Sequence, residues 1–382
     1  MRIGRGGRGR QADLPRSGTD LPQAGTEAEA TAQGSSGRPR GGRGALVAGA
    51  LAVVLSVIAL AGGTGYVVEG PGPAVNTLGS YKDTRLLTIS GHDTYPSDSR
   101  LDLTTVSVGG GPGIELSGVE TLMAWADPHQ DLLPRDFVYP SGTTKEESDA
   151  ENQAEMTNSQ QEAAAAALGE LGIDYTTDTV VAGFVSTQNA NVLKTGDVIT
   201  HVDGKRTATM DQVPAAVKAS AGSTVKLGIT RSGKATTVTA TVKKLSGNRS
   251  LGIYIAPRYT FPFQVKFGIK DIGGPSAGTM LALGIIDELT PGSLAGKNHV
   301  AGTGTISADG TVGAIGGIPQ KVVGARKAGA TIFLAPSQNC AELSGRVPDG
   351  LTVYSMSTLK QARSILSTVA KGGDTSSLKR CG

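Results

Sequence analysis

Residues 45–68 read ALVAGALAVVLSVIALAGGTGYVV, 24 positions without one charge. As a helix this run exceeds the roughly 20 residues needed to cross a bilayer core, so it predicts a single transmembrane helix. Arg38, Arg40 and Arg43 stand just before it and Glu69 is the first charge after it. The bias of basic residues toward the cytoplasm then places the N-terminus inside and residues 69–382 outside the cell membrane. A cleaved export signal is the alternative, because Ala59-Leu60-Ala61 resembles a signal-peptidase site. Against cleavage, the basic region before the run is 44 residues long and the apolar stretch continues past that site.

Charge separates the flanks. Residues 1–44 hold eight Arg against Asp13, Asp20, Glu27 and Glu29, a local +4, so the rest of the +3 chain sums to −1. No nucleic-acid-binding surface is indicated. The basic tail is rich in Gly, Arg, Ser and Pro and is expected to be disordered, since it cannot bury enough apolar surface to offset its ordering entropy. Of the two cysteines, Cys340 and Cys381, both near the C-terminus, a location outside the cytoplasm favours a disulfide tying the tail to the domain; two unrelated thiols are the alternative. His92, His129, His201 and His299 are scattered singly, so no metal site is expected, and nothing calls for a cofactor.

Beyond the apolar run the pattern is α+β. Residues 84–108 read as strands between turns, and Thr143 with Glu146 forms a capping-box pattern opening a long polar helix over 145–171. Its apolar positions are sparse, which predicts that most of it faces solvent. Residues 174–248 change to short β runs around one helix at 211–220, with a hairpin turning at Ser232-Gly233. The segment Leu193-Lys194-Thr195-Gly196-Asp197-Val198-Ile199, followed by Val202-Asp203-Gly204, resembles the signature of bacterial PDZ domains. That resemblance implies capture of peptide C-termini by strand addition. The loop before Val180, Thr176-Thr177-Asp178-Thr179, lacks the glycine and bulky apolar residue expected of a carboxylate-binding loop. A spacer or shield is the bland alternative.

Chemistry concentrates between Gly273 and Pro336. Gly273-Gly274-Pro275-Ser276-Ala277-Gly278 opens an apolar helical segment, and a serine after proline at such a place is by default an N-cap. Downstream stand Thr303-Gly304, then Gly310-Thr311-Val312-Gly313-Ala314-Ile315-Gly316-Gly317, then Lys321 at the head of a further helix. Residues 249–369 thereby resemble the proteolytic domain of Lon-type peptidases. With the anchor and the PDZ-like module, the chain resembles the YlbL-type, PDZ-carrying Lon-like serine peptidases of bacteria. The resemblance implies Ser276 as nucleophile, Lys321 as general base 45 residues later, and Thr303 as an auxiliary hydroxyl that holds Lys321. It also implies an oligomeric assembly and polypeptide substrates. Many such enzymes carry an acid three residues before the serine, where Gly273 stands here.

The pair can be argued from its chemistry as well. A lysine takes a proton from serine only when neutral, and its ordinary pKa is about 10.4. Desolvation must lower it, because a helix N-terminus supplies only about 0.3–1 kcal/mol. Ile315, Ile318, Val322, Val323 and Ala325 surround Lys321 in sequence, and no acid lies between Asp309 and Glu342. Backbone amides at Gly274 and Pro275 are the expected oxyanion donors. The expected activity is ATP-independent serine endopeptidase cleavage of unfolded or extended polypeptides.

Three rivals complete the reading. Gly274–Gly278 fits the nucleophile elbow of α/β-hydrolases, but only His299 follows it. Residues 292–297 resemble a phosphate loop with the wrong spacing. A non-catalytic PDZ scaffold on an inactive peptidase domain is the alternative function.

Overall fold

Glycines end the first helix early. The computed structural model describes residues 42–245, 247–269 and 272–382, so the expected tail over 1–44 lies almost wholly outside the described residues. Helix α1 (Gly42–Ala61) stops before Gly62, Gly63 and Gly65, and the rest of the expected span enters strand β1 (Tyr66–Asn76). The predicted 45–68 helix is thus corrected to a shorter one. Glycine weakens the helix there, and the sheet offers Val68 backbone partners on both sides and Val67 on one. The side chains at 42, 43 and 45 are outside the description, and the remainder of α1 falls short of a bilayer span. Among the described residues no helix is long and apolar enough to cross a membrane.

The chain continues through β2 (Leu87–Ser90), β3 (Arg100–Gly109), α2 (Gly118–Ala126), β4 (Asp131–Pro134) and α3 (Lys145–Leu171). The capping box of α3 is built by Thr144 and Glu147, one residue later than the sequence pattern suggested, and Gly172 closes the helix in the left-handed region. The expectation that α3 faces solvent fails over its second half, where Met156 and every residue from Ala163 to Leu168 are buried. Alanine scores weakly as apolar, yet its small side chain lets two helices approach closely, and this stretch joins the main core.

The PDZ-like module follows as β5 (Thr176–Phe184), β6 (Val198–Val202), α4 (Gln212–Ala219), β7 (Thr224–Arg231), β8 (Lys234–Thr241) and β9 (Ile253–Thr260). Its sheet runs β8-β7-β6-β5-β9, so it extends past residue 248 to Thr260. Ser232 and Gly233, both with positive φ, make the hairpin turn between β7 and β8 as expected. Val181, Leu193, Ile199, Val213, Val217 and Leu227 give it a core of its own. The expected loop before Val180 is instead part of β5, an interior strand paired on both sides.

The remaining elements are β10 (Gln264–Phe267), α5 (Gly278–Leu289), β11 (His299–Gly302), α6 (Ile318–Lys327), β12 (Ile332–Pro336), β13 (Thr352–Met356) and α7 (Leu359–Ala370). The main sheet orders β13-β12-β11-β3-β1-β4, with β3 parallel to β11 and antiparallel to β1. Strands from 66–134 therefore complete the sheet begun by strands after 299, and β10 pairs with β2. The PDZ-like module interrupts one mixed α/β layer. Every residue of α5 is buried, as a helix apolar on all sides requires. Fully buried Leu101, Leu103, Met280 and Leu283 each contribute about 1.5–3 kcal/mol by leaving water. Cys340 and Cys381 are joined in a disulfide with a Cα–Cα distance of 4.8 Å.

Candidate active site

Ser276 sits on a single 3₁₀ turn, Pro275–Ala277, that feeds into α5. The loop before it is held from two sides. Helix α3 supplies Asn152, whose carbonyl accepts the Gly274 N–H at 3.0 Å, and Ser159, whose hydroxyl donates to the Pro275 carbonyl at 2.9 Å. From the other side the buried Thr303 hydroxyl donates to the Ser276 carbonyl at 3.0 Å, and the Gly304 N–H donates to the same oxygen at 2.9 Å. The turn is thus fixed by four hydrogen bonds, none of which uses the Ser276 hydroxyl.

These contacts revise two expected roles. Thr303 grips the backbone of the serine, and no bond from it to Lys321 is recorded among the described residues. Gly274 spends its N–H on Asn152 and Pro275 has none, so both positions brace the loop instead of serving as oxyanion donors. The glycine at 273 also gains a reason. A Cβ there would lie 2.7 Å from the Asn152 side chain, so the crossing of α3 leaves no room for an acid.

Lys321 lies in the first turn of α6, its N–H donating to the Gly317 carbonyl at 3.1 Å. Close backbone packing sets its position. A Cβ on Gly324 would meet the Gly72 carbonyl oxygen of β1 at 2.6 Å, so glycine is needed for the helix to lie this near the strand. Lys321 is only 2% exposed and makes no salt bridge among the described residues. Burial lowers its pKa to about 8, while the nearby Glu69 carboxylate pulls it back up.

Ser276 and Lys321 line the same cleft of about 1260 Å³, with Glu69, Val106, Tyr139, Asn152 and Gly316 among its walls. A second cavity of about 220 Å³, between Tyr81 and Thr105, also touches both side chains. The large cleft has room for several residues of an extended chain, beyond the 300–1,000 Å³ common for small-molecule pockets. No hydrogen bond between the two side chains is recorded, and such bonds are often long before substrate closes the site.

Glu69 is a charged residue of the cleft that the sequence alone did not single out. It lies on β1 opposite Asp131 of β4, two carboxylates side by side in an antiparallel pair. Burial raises the Glu69 pKa; Lys321 opposes that shift and Asp131 adds to it. In the sequence it served only as the first charge after the apolar run, 252 positions before Lys321, and no local pattern could pair them. His299 is accounted for differently, its Nε2 lying 2.7 Å from the fully buried Asp102 carboxylate. That pair ties β11 to β3, and Ser276 is not among its recorded partners. Among the described residues no group of His, Cys, Asp and Glu side chains is arranged to hold a metal ion.

Residues 260–368 match the Lon protease (S16) C-terminal proteolytic domain, and residues 169–242 match the PDZ domain family. Lon protease 1 of Sorangium cellulosum is 38% identical over 102 residues, 26% of this chain and 12% of that protein. Lon protease 1 of Bacillus subtilis is 33% identical over 107 residues, 27% of this chain and 14% of that one. The chain thus spans only about an eighth of the length of these relatives. The PDZ domain of an SdrC-like protein from Listeria monocytogenes is 23% identical, covering 20% of this chain and 86% of its own, with a TM-score of 0.19. The chain carries a Lon-type proteolytic domain and a PDZ domain, in keeping with a PDZ-containing Lon-like peptidase.

Proposed function

We propose that this protein is an ATP-independent serine endopeptidase that cleaves unfolded or extended polypeptides through Ser276 and Lys321. The observation that carries this reading is Lys321, buried and making no salt bridge among the described residues, on the wall of the cleft that holds Ser276. A surface or structural lysine would be solvated or paired. This one is kept ready to lose its proton.

In the first half-reaction Lys321 Nζ takes the proton of the Ser276 hydroxyl as Oγ bonds to the scissile carbonyl carbon. The C–N bond then breaks, and Lys321 returns the proton to the departing amine. In the second half water attacks the acyl-enzyme ester, Lys321 accepts its proton, and that proton goes back to Ser276 Oγ as the acid is released. Thr303 and Gly304, by gripping the Ser276 carbonyl, hold the turn so that Oγ keeps its aim.

The PDZ domain supports a second, binding role. Its interior strand β5 is paired on both sides, so a peptide must add at a free edge, and β9 supplies one beside Leu251 and Gly252. The reading places the protein at the cell membrane, held by the apolar segment of α1, with the catalytic part outside the cytoplasm. The exposed Leu46, Val47, Leu51 and Ile58 support a lipid-facing anchor, Arg38, Arg40 and Arg43 support its orientation, and the Cys340–Cys381 disulfide fits an oxidising compartment. Assembly into a homo-oligomer is part of the same proposal, by analogy with Lon-type domains.

The test is hydrolysis of an unfolded model protein by the purified chain, with S276A and K321A as comparisons and a serine-directed phosphonate as label. Turnover abolished by both substitutions, with the label on Ser276, is the expected result. Activity surviving in either variant sinks the assigned dyad.

A further inference from the structure

Helix α2 is amphipathic with its apolar side turned outward. It spans Gly118–Ala126, and at 100° per residue Trp125, Leu122, Ala126, Val119 and Met123 fall on one continuous arc. All five are exposed, Trp125 at 76% and Met123 at 69%. The inward side holds the buried Ala124 and the half-buried Thr121. Glu120 is the only charged residue of the helix, and its carboxylate is occupied by the capping box with Ser117. A water-facing helix would show the reverse pattern. Ile114, just upstream, adds another exposed apolar side chain at 61%. An apolar surface of this kind marks a place that something else covers.

The chain itself indicates what covers it. Helix α2 is fastened to the residues that follow α1. Gly63 and Thr64 pair with Ser117 and Leu116, the Gly118 N–H donates to the Gly62 carbonyl at 3.1 Å, and the Thr64 and Thr121 hydroxyls lie 2.8 Å apart. Directly before Gly62 come Val57, Ile58 and Leu60, also exposed, from a helix whose described apolar side chains are exposed on every side. A protein partner commonly covers one stripe of a helix, whereas lipid covers all of it. The Gly63–Thr64 ladder with Leu116–Ser117 thus joins the residues just after the apolar end of α1 to the residues just before α2, and tryptophan favours the headgroup level of a bilayer.

We infer that α2 is an interfacial helix that lies in the headgroup region of the membrane, with Val119, Leu122, Met123 and Trp125 immersed, and so fixes the attitude of the catalytic domain relative to the lipid surface. This inference rests on the proposed membrane tether. Its partner is the phospholipid bilayer itself, with no basic residue on α2 to demand anionic lipid.

Trp125 is the only tryptophan of the chain, which makes the test direct. The full chain is reconstituted in phosphatidylcholine vesicles whose acyl chains carry bromine near the headgroup, and both flotation and tryptophan emission are read. Flotation with loss of most of the emission, relative to unbrominated vesicles, is the expected result. A doubly substituted chain, L122Q/M123Q, should still float but recover much of that emission. Flotation with unquenched, water-like emission overturns the interfacial helix while leaving the tether intact. Flotation with blue-shifted but unquenched emission overturns it in favour of a protein interface over α2. Failure to float removes the tether and this inference together, leaving the dyad to its own test.

Discussion

Two buried charges, one in each domain, are treated in opposite ways. Asp197 of the PDZ domain has a side chain only 1% exposed, and its carboxylate accepts from the Lys194 N–H at 2.8 Å and from Arg231 at 2.7 and 2.6 Å. Burial pushes its pKa up, but Arg231 and the Lys194 amide outweigh that and hold it below the usual carboxylate range. Lys321 is as deeply buried and has no such partners, so burial wins and its pKa falls to about 8. The first charge is satisfied and supports its fold, whereas the second is left expensive, as the proposed proton transfer requires. Similar burial therefore serves opposite ends, and what decides is the set of groups pointed at the charge.

The comparison breaks most visibly in activity. Removing Ser276 or Lys321 by alanine should lower turnover by at least about a thousand-fold, measured as peptide hydrolysis, because members of such a unit fail together. Replacing Asp197 by alanine should leave kcat for a short peptide within a few-fold of the parent. A comparable loss at Asp197 would erase the distinction between the two sites.

Stability should move the other way. Asp197→Ala strands Arg231 and the Lys194 amide and should cost about 3 kcal/mol in denaturant unfolding. Lys321→Met removes a charge that folding disfavours, and should stabilise the fold by up to about 3 kcal/mol at pH 7. The sign is set by linkage. The folded pKa of Lys321 lies below its unfolded value, so the unfolded chain binds more protons between pH 8 and about 10.4, and its stability penalty is complete below that window and vanishes above it. For Asp197 the folded value is depressed, so its stabilisation is present above the unfolded carboxylate pKa and fades as pH falls through the folded one.

The same pKa sharpens the rate. If neutral Lys321 is the base, turnover should rise about tenfold from pH 7 to pH 9 with a midpoint near 8, a limb that pre-steady-state acylation would isolate. The smallest effect belongs to Glu69. Its carboxylate favours the ammonium form, so Glu69→Gln should move that midpoint down by less than about one unit and raise the rate at pH 7 a few-fold at most. A shift upward would mean that Glu69 acts on something other than Lys321.

Much of this was legible where signals are local. The hairpin at Ser232-Gly233 and the apolar helix after Ser276 are set by turn chemistry and periodicity, and they stand as expected. The Lon-type domain that holds Ser276 and Lys321 was readable because its motifs are contiguous, and the two residues line one cleft. What escaped depends on long-range packing. The alanine run of α3 gave too weak an apolar signal to place it in the core, and Gly273 had no meaning until α3 crossed it. Glu69 reaches the cleft only through the β1–β4 pairing, which no segment announces. Thr303 was read as a partner for the lysine, but its hydroxyl found a nearer backbone carbonyl to bond.

Thr176, where the PDZ domain begins, faces Thr260, where it ends, as the last pair of the β5–β9 ladder. Opposed residues in such a ladder lie about 5 Å apart at Cα, a gap that one or two glycines span. The module is therefore a cassette with adjoining ends. Its excision would close a loop of almost no length, at little entropic cost to the remaining chain. For the same reason another domain with neighbouring termini could be set in its place, while the Lon-type sheet goes on folding around the same joint.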